Sequence, residues 1–285
     1  MQFSDLQLEV RSRLVEATAR AFTDVEIKRF LNLGYRDVVA KTGWPERISG
    51  LAAVEDQYEY TLSTDTTHIQ HIRWKDQYKI VPATVEQFSA IMGTANTTQS
   101  TIPDIYLAMP WNRTIRLYPT PSASSPASAI NDAGNLSSSA TSVTIDSQTT
   151  FPANGIIIID SEQILYTAST ATTLTGLVRG HGGTTAASHL DNATVTVAEI
   201  LVYNTYMPAD LSASGDEPLI NEEWHELLVL YAVQIGLQKR QKYKEAAQVL
   251  SIYNDQLKEA MMIRTRQTME GFNCIKDADT LEYGL

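Results

Sequence analysis

The stretch SSSATSVTIDSQTTFPANGIIIIDSEQILYT, residues 137–167, contains neither Lys nor Arg. It lies inside a longer region, residues 122–198, where nearly one residue in three is Ser or Thr and Arg179 is the only basic residue. Helix-rich, charge-rich sequence flanks that region on both sides. The pattern is that of one domain split by a second, and such insertions succeed where the host's ends lie close together in an exposed loop. Function is therefore sought in assembly and surface contact.

Working outward, 285 residues suffice for two cored domains. The division expected is a host made of residues 1–121 and 199–268, an insert at 122–198, and an extended C-terminal arm at 269–285. No apolar run reaches the roughly 18 residues a membrane span needs. MQFSDLQLEVRSRL at the N-terminus lacks the basic start and apolar centre of a secretory signal. The single cysteine, Cys274, excludes an internal disulfide framework and a cysteine-rich zinc site. Net charge is −11, of which the insert carries −4. An acidic chain does not clamp DNA, which requires clustered Lys and Arg to displace counterions. The one dense basic run, KRQKYK at 239–244, reads as a solvated helix end favoured by the dipole.

Ser4 with Gln7 and Thr23 with Glu26 are spaced as capping boxes and open two helices. Leu6, Val10 and Leu14 share a face of the first. Val25, Phe30, Leu33 and Val38/Val39 form the stripe of the second, which Gly43 ends. YEYTL (58–62), HIQHIRW (68–74) and YKIV (78–81) are β-branched and aromatic, hence strands. Thr84 with Gln87 caps a short helix ended by Gly93. IYLAM and TIRLYPT then flank Pro110-Trp111-Asn112-Arg113 as a hairpin. ILVYNTYM (200–207) resumes the sheet pattern and is expected to pair with TIRLYPT. A helical region follows Pro218, and a last helix spans roughly 243–268. The host is thus α+β, with about four helices and a small antiparallel sheet. Beyond Arg266 the chain lacks sustained helical periodicity, so it is expected to be extended.

No constellation of catalytic residues stands out. His68 and His71 lie at odd spacing on a strand and face opposite sides, which argues against a shared metal. His225, beside Glu222, Glu223 and Glu226, reads as a surface histidine. Ser188, His189 and Asp191 are too close in sequence to converge as a triad. RGHGGTT (179–185) resembles a phosphate cradle but lacks the Lys-Ser/Thr ending, so it reads as a tight turn. Asp160 and Glu162, at i and i+2 on one strand face, are an ordinary carboxylate pair and not a glycosidase dyad. No enzyme activity, cofactor or metal is expected.

Three stretches carry a family resemblance: FTDVEIKRFLNLGYRDVVAKTGWP (22–45), LVYNTYMPADLSASGDEPLINEEWHELLVLYAV (201–233) and KYKEAAQVLSIYNDQLKEAM (242–261). With the intervening strands they resemble the head-to-tail connector, or adaptor, proteins of tailed bacteriophages. Residues 137–167, TLTGLVRGHGGTTAASH (173–189) and ATVTV (193–197) separately resemble a small β module of phage structural proteins, which makes the insert all-β. The resemblance implies a structural virion protein at the head-tail junction, assembled in the host cytoplasm. It further implies a homo-oligomeric, commonly dodecameric ring bound to the portal on one face and to tail or nozzle proteins, with tail fibres as a further contact, on the other. Such a ring leaves a channel through which DNA passes without specific binding, and no membrane is involved. The expected docking arm comprises Met269, Phe272, Ile275, Leu281, Tyr283 and Leu285. The expected insert surface contacts are Tyr166, Arg179, His181 and His189. The alternative is a receptor- or carbohydrate-binding tail component acting through the insert.

Overall fold

The computed structural model describes residues 1–16, 21–92, 98–109, 112–132, 134–147 and 150–281; for Met92 and residues 266–281 it describes the backbone alone. In chain order the elements are α1 (Phe3–Arg13), α2 (Asp24–Thr42), β1 (Glu46–Leu51), β2 (Glu59–Thr61), β3 (Thr66–Trp74), β4 (Tyr78–Pro82), α3 (Val85–Met92), β5 (Gln99–Ser100), β6 (Ile105–Met109), β7 (Thr114–Tyr118) and β8 (Thr120–Pro121). There follow β9 (Ala127–Ala129), β10 (Ser142–Thr144), β11 (Gly155–Ile159), β12 (Glu162–Tyr166), β13 (Ala168–Ser169), β14 (Thr173–Thr175), β15 (Val178–His181), β16 (Thr194–Val197) and β17 (Ile200–Tyr206). Helices α4 (His225–Lys239) and α5 (Tyr243–Leu281) close the chain. The fold is α+β, and it divides into two compact units: Met1–Pro45 with Met207–Leu285, and Glu46–Tyr206.

The first unit is helical. The α2 box forms as its spacing predicts: Thr23 Oγ1 accepts from the Glu26 amide at 3.3 Å, and the Glu26 carboxylate accepts from the Thr23 amide at 3.0 Å. At the far end Gly43 adopts φ 69°, a left-handed stop that glycine takes without steric cost. Helix α1 begins earlier than Ser4, because the Asp5 carboxylate accepts from the Gln2 amide at 3.1 Å. Leu6, Val10 and Leu14 are buried as their spacing predicts, whereas Val25, expected in the α2 stripe, is exposed. Helix α4 is apolar nearly all round and packs against α1, α2 and α5, as a central helix must. Tyr253 on α5 is fully buried and donates its hydroxyl to Asp37 on α2; burial, and then the carboxylate, push that phenol upward.

Three expectations are corrected here. The C-terminal segment is not extended: α5 continues as helix through Leu281. No proline interrupts residues 219–285, and the lone Gly271 costs a helix only about 1 kcal/mol. At 1.5 Å per residue the 39-residue helix is about 58 Å long. The sheet of the second unit is neither small nor wholly antiparallel. It has seven strands in the order β1-β17-β3-β4-β6-β7-β2, with β4 and β6 parallel. A parallel pair needs a crossover, which the α3 segment supplies. Strand β17 pairs with β1 and β3, not with TIRLYPT, whose strand β7 lies between β6 and β2. The β6–β7 hairpin forms; its residues 110 and 111 lie outside the described residues, as does Gly93 after α3.

Residues 127–197 make further sheets around a core of their own. Strands run β15-β12-β11-β16-β9 in one sheet and β10-β14-β13 in another. Ile157, Ile159, Ile164, Tyr166, Leu174 and Val195 lead that core. It is separate from the cluster under the seven-stranded sheet, built on Ile72, Ile80, Ile115, Leu117 and Val202. Both ends of the region meet: the Val197 amide donates to Pro126 O at 2.9 Å, and Ser125 Oγ donates to the Glu199 carboxylate at 3.2 Å.

Candidate functional site

The densest polar cluster among the described residues lies inside residues 127–197 and centres on Glu162. Alternation along β12 sends Glu162, Ile164 and Tyr166 inward and leaves Gln163 and Leu165 half-buried. Glu162 is 1% exposed and collects five hydrogen bonds. Arg179 grips it bidentately, Nε at 2.9 Å and Nη2 at 2.7 Å. The amides of Gly180 and Ala187 donate at 2.9 and 3.0 Å. His189 Nε2 lies 2.8 Å away, and its Nδ1 lies 2.8 Å from Asp160. Burial alone would raise the Glu162 carboxyl. The bonds from Arg179, Ala187, Gly180 and His189 outweigh it and hold the group down at about 2.

The glycine-rich RGHGGTT segment explains part of this geometry. Gly180, Gly182 and Gly183 all have positive φ, the turn conformation its composition predicts. Its resemblance to a phosphate cradle has a physical basis, because the loop does bind an anion, and that anion is the chain's own Glu162. Arg179 completes the closure by donating to Ser137 O and to Ala187 O.

The expected insert contacts are thereby corrected. Tyr166 is fully buried, its hydroxyl donating to Pro152 O at 2.9 Å. Its phenol is raised by burial. Arg179 and His189 are consumed in the Glu162 cluster and are almost wholly buried. His181 is half-buried, with Nε2 enclosed and its pKa lowered by burial. Tyr166, Arg179 and His189, expected as surface contacts, thus point inward, because a Ser/Thr-rich coat leaves the few larger side chains to fill the core.

Several of the remaining candidates are also engaged by their own chain, whereas His68 is exposed. Asp160 and Glu162 do converge, on His189, but a carboxyl held at about 2 is ionised at neutral pH and is no general acid. His71 stacks on Tyr203 with ring centroids 4.1 Å apart. His225 is buried, not superficial: Nε2 lies 3.1 Å from Ile220 O, and burial lowers its pKa. In the basic run, Lys239 pairs with Glu26, Arg240 with Glu16 and Lys242 with Glu245. Of the expected docking arm, Met269, Phe272, Ile275 and Leu281 lie on the α5 backbone, their side chains outside the described residues; Tyr283 and Leu285 lie outside them altogether.

Sequence reasoning named Glu162 only as half of an ordinary carboxylate pair and missed its burial. The available signal was parity: an acidic residue two and four positions before Ile164 and Tyr166, in a region with a single arginine to partner it. A family model described as SU10 adaptor protein matches residues 1–273, and the chain belongs to the SU10 adaptor protein family. It is accordingly a phage structural adaptor and a virion component, in agreement with the resemblance carried by residues 22–45, 201–233 and 242–261. No curated protein matches the chain.

Proposed function

We propose that this adaptor assembles into a closed, commonly dodecameric ring at the head-tail junction, one face on the portal and the other on tail proteins. The observation that carries the ring is an apolar stripe on α5. Tyr243, Leu250 and Met261 are all exposed, and at 100° per residue they fall within about 20° of one another. Ile252 and Met262 add exposed apolar surface on the same helix. Exposed apolar side chains beside the buried face of a helix, here Ala246, Tyr253, Leu257 and Ala260, offer a surface for protein contact. The helical end of α5, with Met269, Phe272, Ile275 and Leu281, extends that contact to portal or neighbour. Net charge of −11 suits a channel that repels phosphates and lets DNA pass without holding it.

Residues 122–198 serve in this reading as an inserted module directed at other tail parts. Adjacent ends at Pro126 and Val197 and an independent core support the insertion. A sugar-binding role for it is disfavoured, since Tyr166, Arg179 and His189 are interior. The purified chain mixed with portal and imaged by cryo-EM should give closed rings seated on the portal. A chain that stays monomeric and never joins the portal would overturn the proposal. Deleting residues 269–285 should leave the fold intact and weaken co-sedimentation with the portal.

A further inference from the structure

The seven-stranded sheet lacks a strand over part of its width. Strand β3 pairs with β17 from Trp74 to Thr66 but with β4 only from Trp74 to Ile72. Strand β6 pairs with β7 along its whole length but with β4 only at Ile105 and Tyr106. The cause is Pro82. The amides of Val81 and Ala83 donate to Asp104 O and Tyr106 O, on the β6 side, so the nitrogen of residue 82 faces β3. Proline has no hydrogen to give there, the ladder to β3 stops, and the chain leaves for α3. Where β4 would have continued, a cleft of about 260 Å³ lies between Thr66–Ile69 of β3 and Ala108 and Met109 of β6.

We infer that this vacated strand position takes an extended, carboxylate-bearing peptide segment of another polypeptide, paired antiparallel to β3 and parallel to β6. Two features select that occupant. Open strand edges on both sides offer main-chain donors and acceptors that only an extended backbone satisfies in register. The lining has no Asp or Glu, although the chain is strongly acidic, and it includes His68 and Arg113. The Arg113 side chain is exposed and bonds to no other group among the described residues. A third observation points inward: Thr114, 8% exposed, lines the cleft with an Oγ1 that has no hydrogen-bond partner. A buried hydroxyl left so is costly until a ligand supplies its partner. The inference stands on the β unit alone and is independent of ring formation.

The test is fluorescence anisotropy of the full chain with a labelled, N-acetylated hexapeptide alternating Glu and Val. Saturable binding is expected, and the Lys/Val counterpart should bind at least about tenfold more weakly. Arg113→Glu should reverse that preference, and Thr114→Val should weaken binding several-fold while leaving the circular dichroism spectrum unchanged. N-methylation of alternate peptide amides should abolish binding, because it removes the donors a strand edge requires. The inference is overturned by no saturation up to about 1 mM peptide, by equal binding of the two peptides, or by binding that survives N-methylation. Displacement by an equal concentration of inorganic phosphate would also overturn it, showing a simple anion site, and so would peptide binding that tracks only self-association of the chain.

Discussion

Glu16 in the helical unit and Glu162 in the β unit are both buried acceptors of backbone amides, and their surroundings are built differently. In the helical unit Glu16 accepts from the amides of Ala21 and Phe22 at 2.6 and 3.0 Å and pairs with Arg240. It pins the α1–α2 connection beside a large apolar core that runs from Phe3 to Ala260. Among residues 127–197 of the β unit Glu162 gathers five donors, and the apolar core around it is about half the size. The helical unit uses its buried charge as a clip, whereas the module uses it as a keystone. Removing one partner of a buried ion pair costs more than the pair contributes, because the survivor is left desolvated.

Glu162→Ala should therefore have the largest effect, about 3–5 kcal/mol, since Arg179 remains buried without its carboxylate. Hydrogen exchange should show loss of protection at Gly180 and Ala187 with the helical core unchanged; uniform loss across both units would erase the contrast. Acid should act on the same cluster. A carboxyl whose pKa is lower in the folded chain than in the unfolded one stabilises fully above the ordinary value of 4.5, and that contribution disappears as pH falls toward about 2. Amide exchange between pH 4.5 and 2 should accelerate in the module first. Glu16→Ala should be milder, about 1–3 kcal/mol in a urea titration, because Arg240 reaches solvent more readily than Arg179 does and the buried Arg11 keeps its bond to Asp24. Thr23→Ala should cost about 1 kcal/mol through the lost α2 cap. Met261→Glu should alter monomer stability by no more than about 0.5 kcal/mol, being exposed, yet should reduce ring formation on the portal. An unaltered ring yield would remove α5 as the contact.

Local signals in the sequence were readable where local physics decides. The Thr23/Glu26 and Thr84/Gln87 boxes and the Gly43 stop all form at their predicted residues. So do the strands at 105–109 and 114–118. What failed was non-local. Strand β17 lies 126 residues beyond its partner at Trp74 (Ile200), a choice of neighbour that alternation of side chains does not encode. Tyr166 and His189 were expected among the surface contacts of residues 122–198, but inside and outside are set residue by residue, and both fell on the inner side. Helix continuation past Arg266 was missed because a lack of sustained periodicity was read as an absence of helix, although no proline breaks one there and a lone Gly271 does not suffice to.

The β unit begins at Glu46 and ends at Tyr206, and its first and last strands are neighbours, with Glu46 opposite Thr205. Tension that draws these two chain ends apart acts on a single end of an antiparallel ladder. The bonds from Glu46 to Leu51 would then break in succession, like a zipper, and not together as in shear. Peeling of this kind loads one pair of hydrogen bonds at a time, so tension on these two ends opens the seam from Glu46 and Thr205 inward.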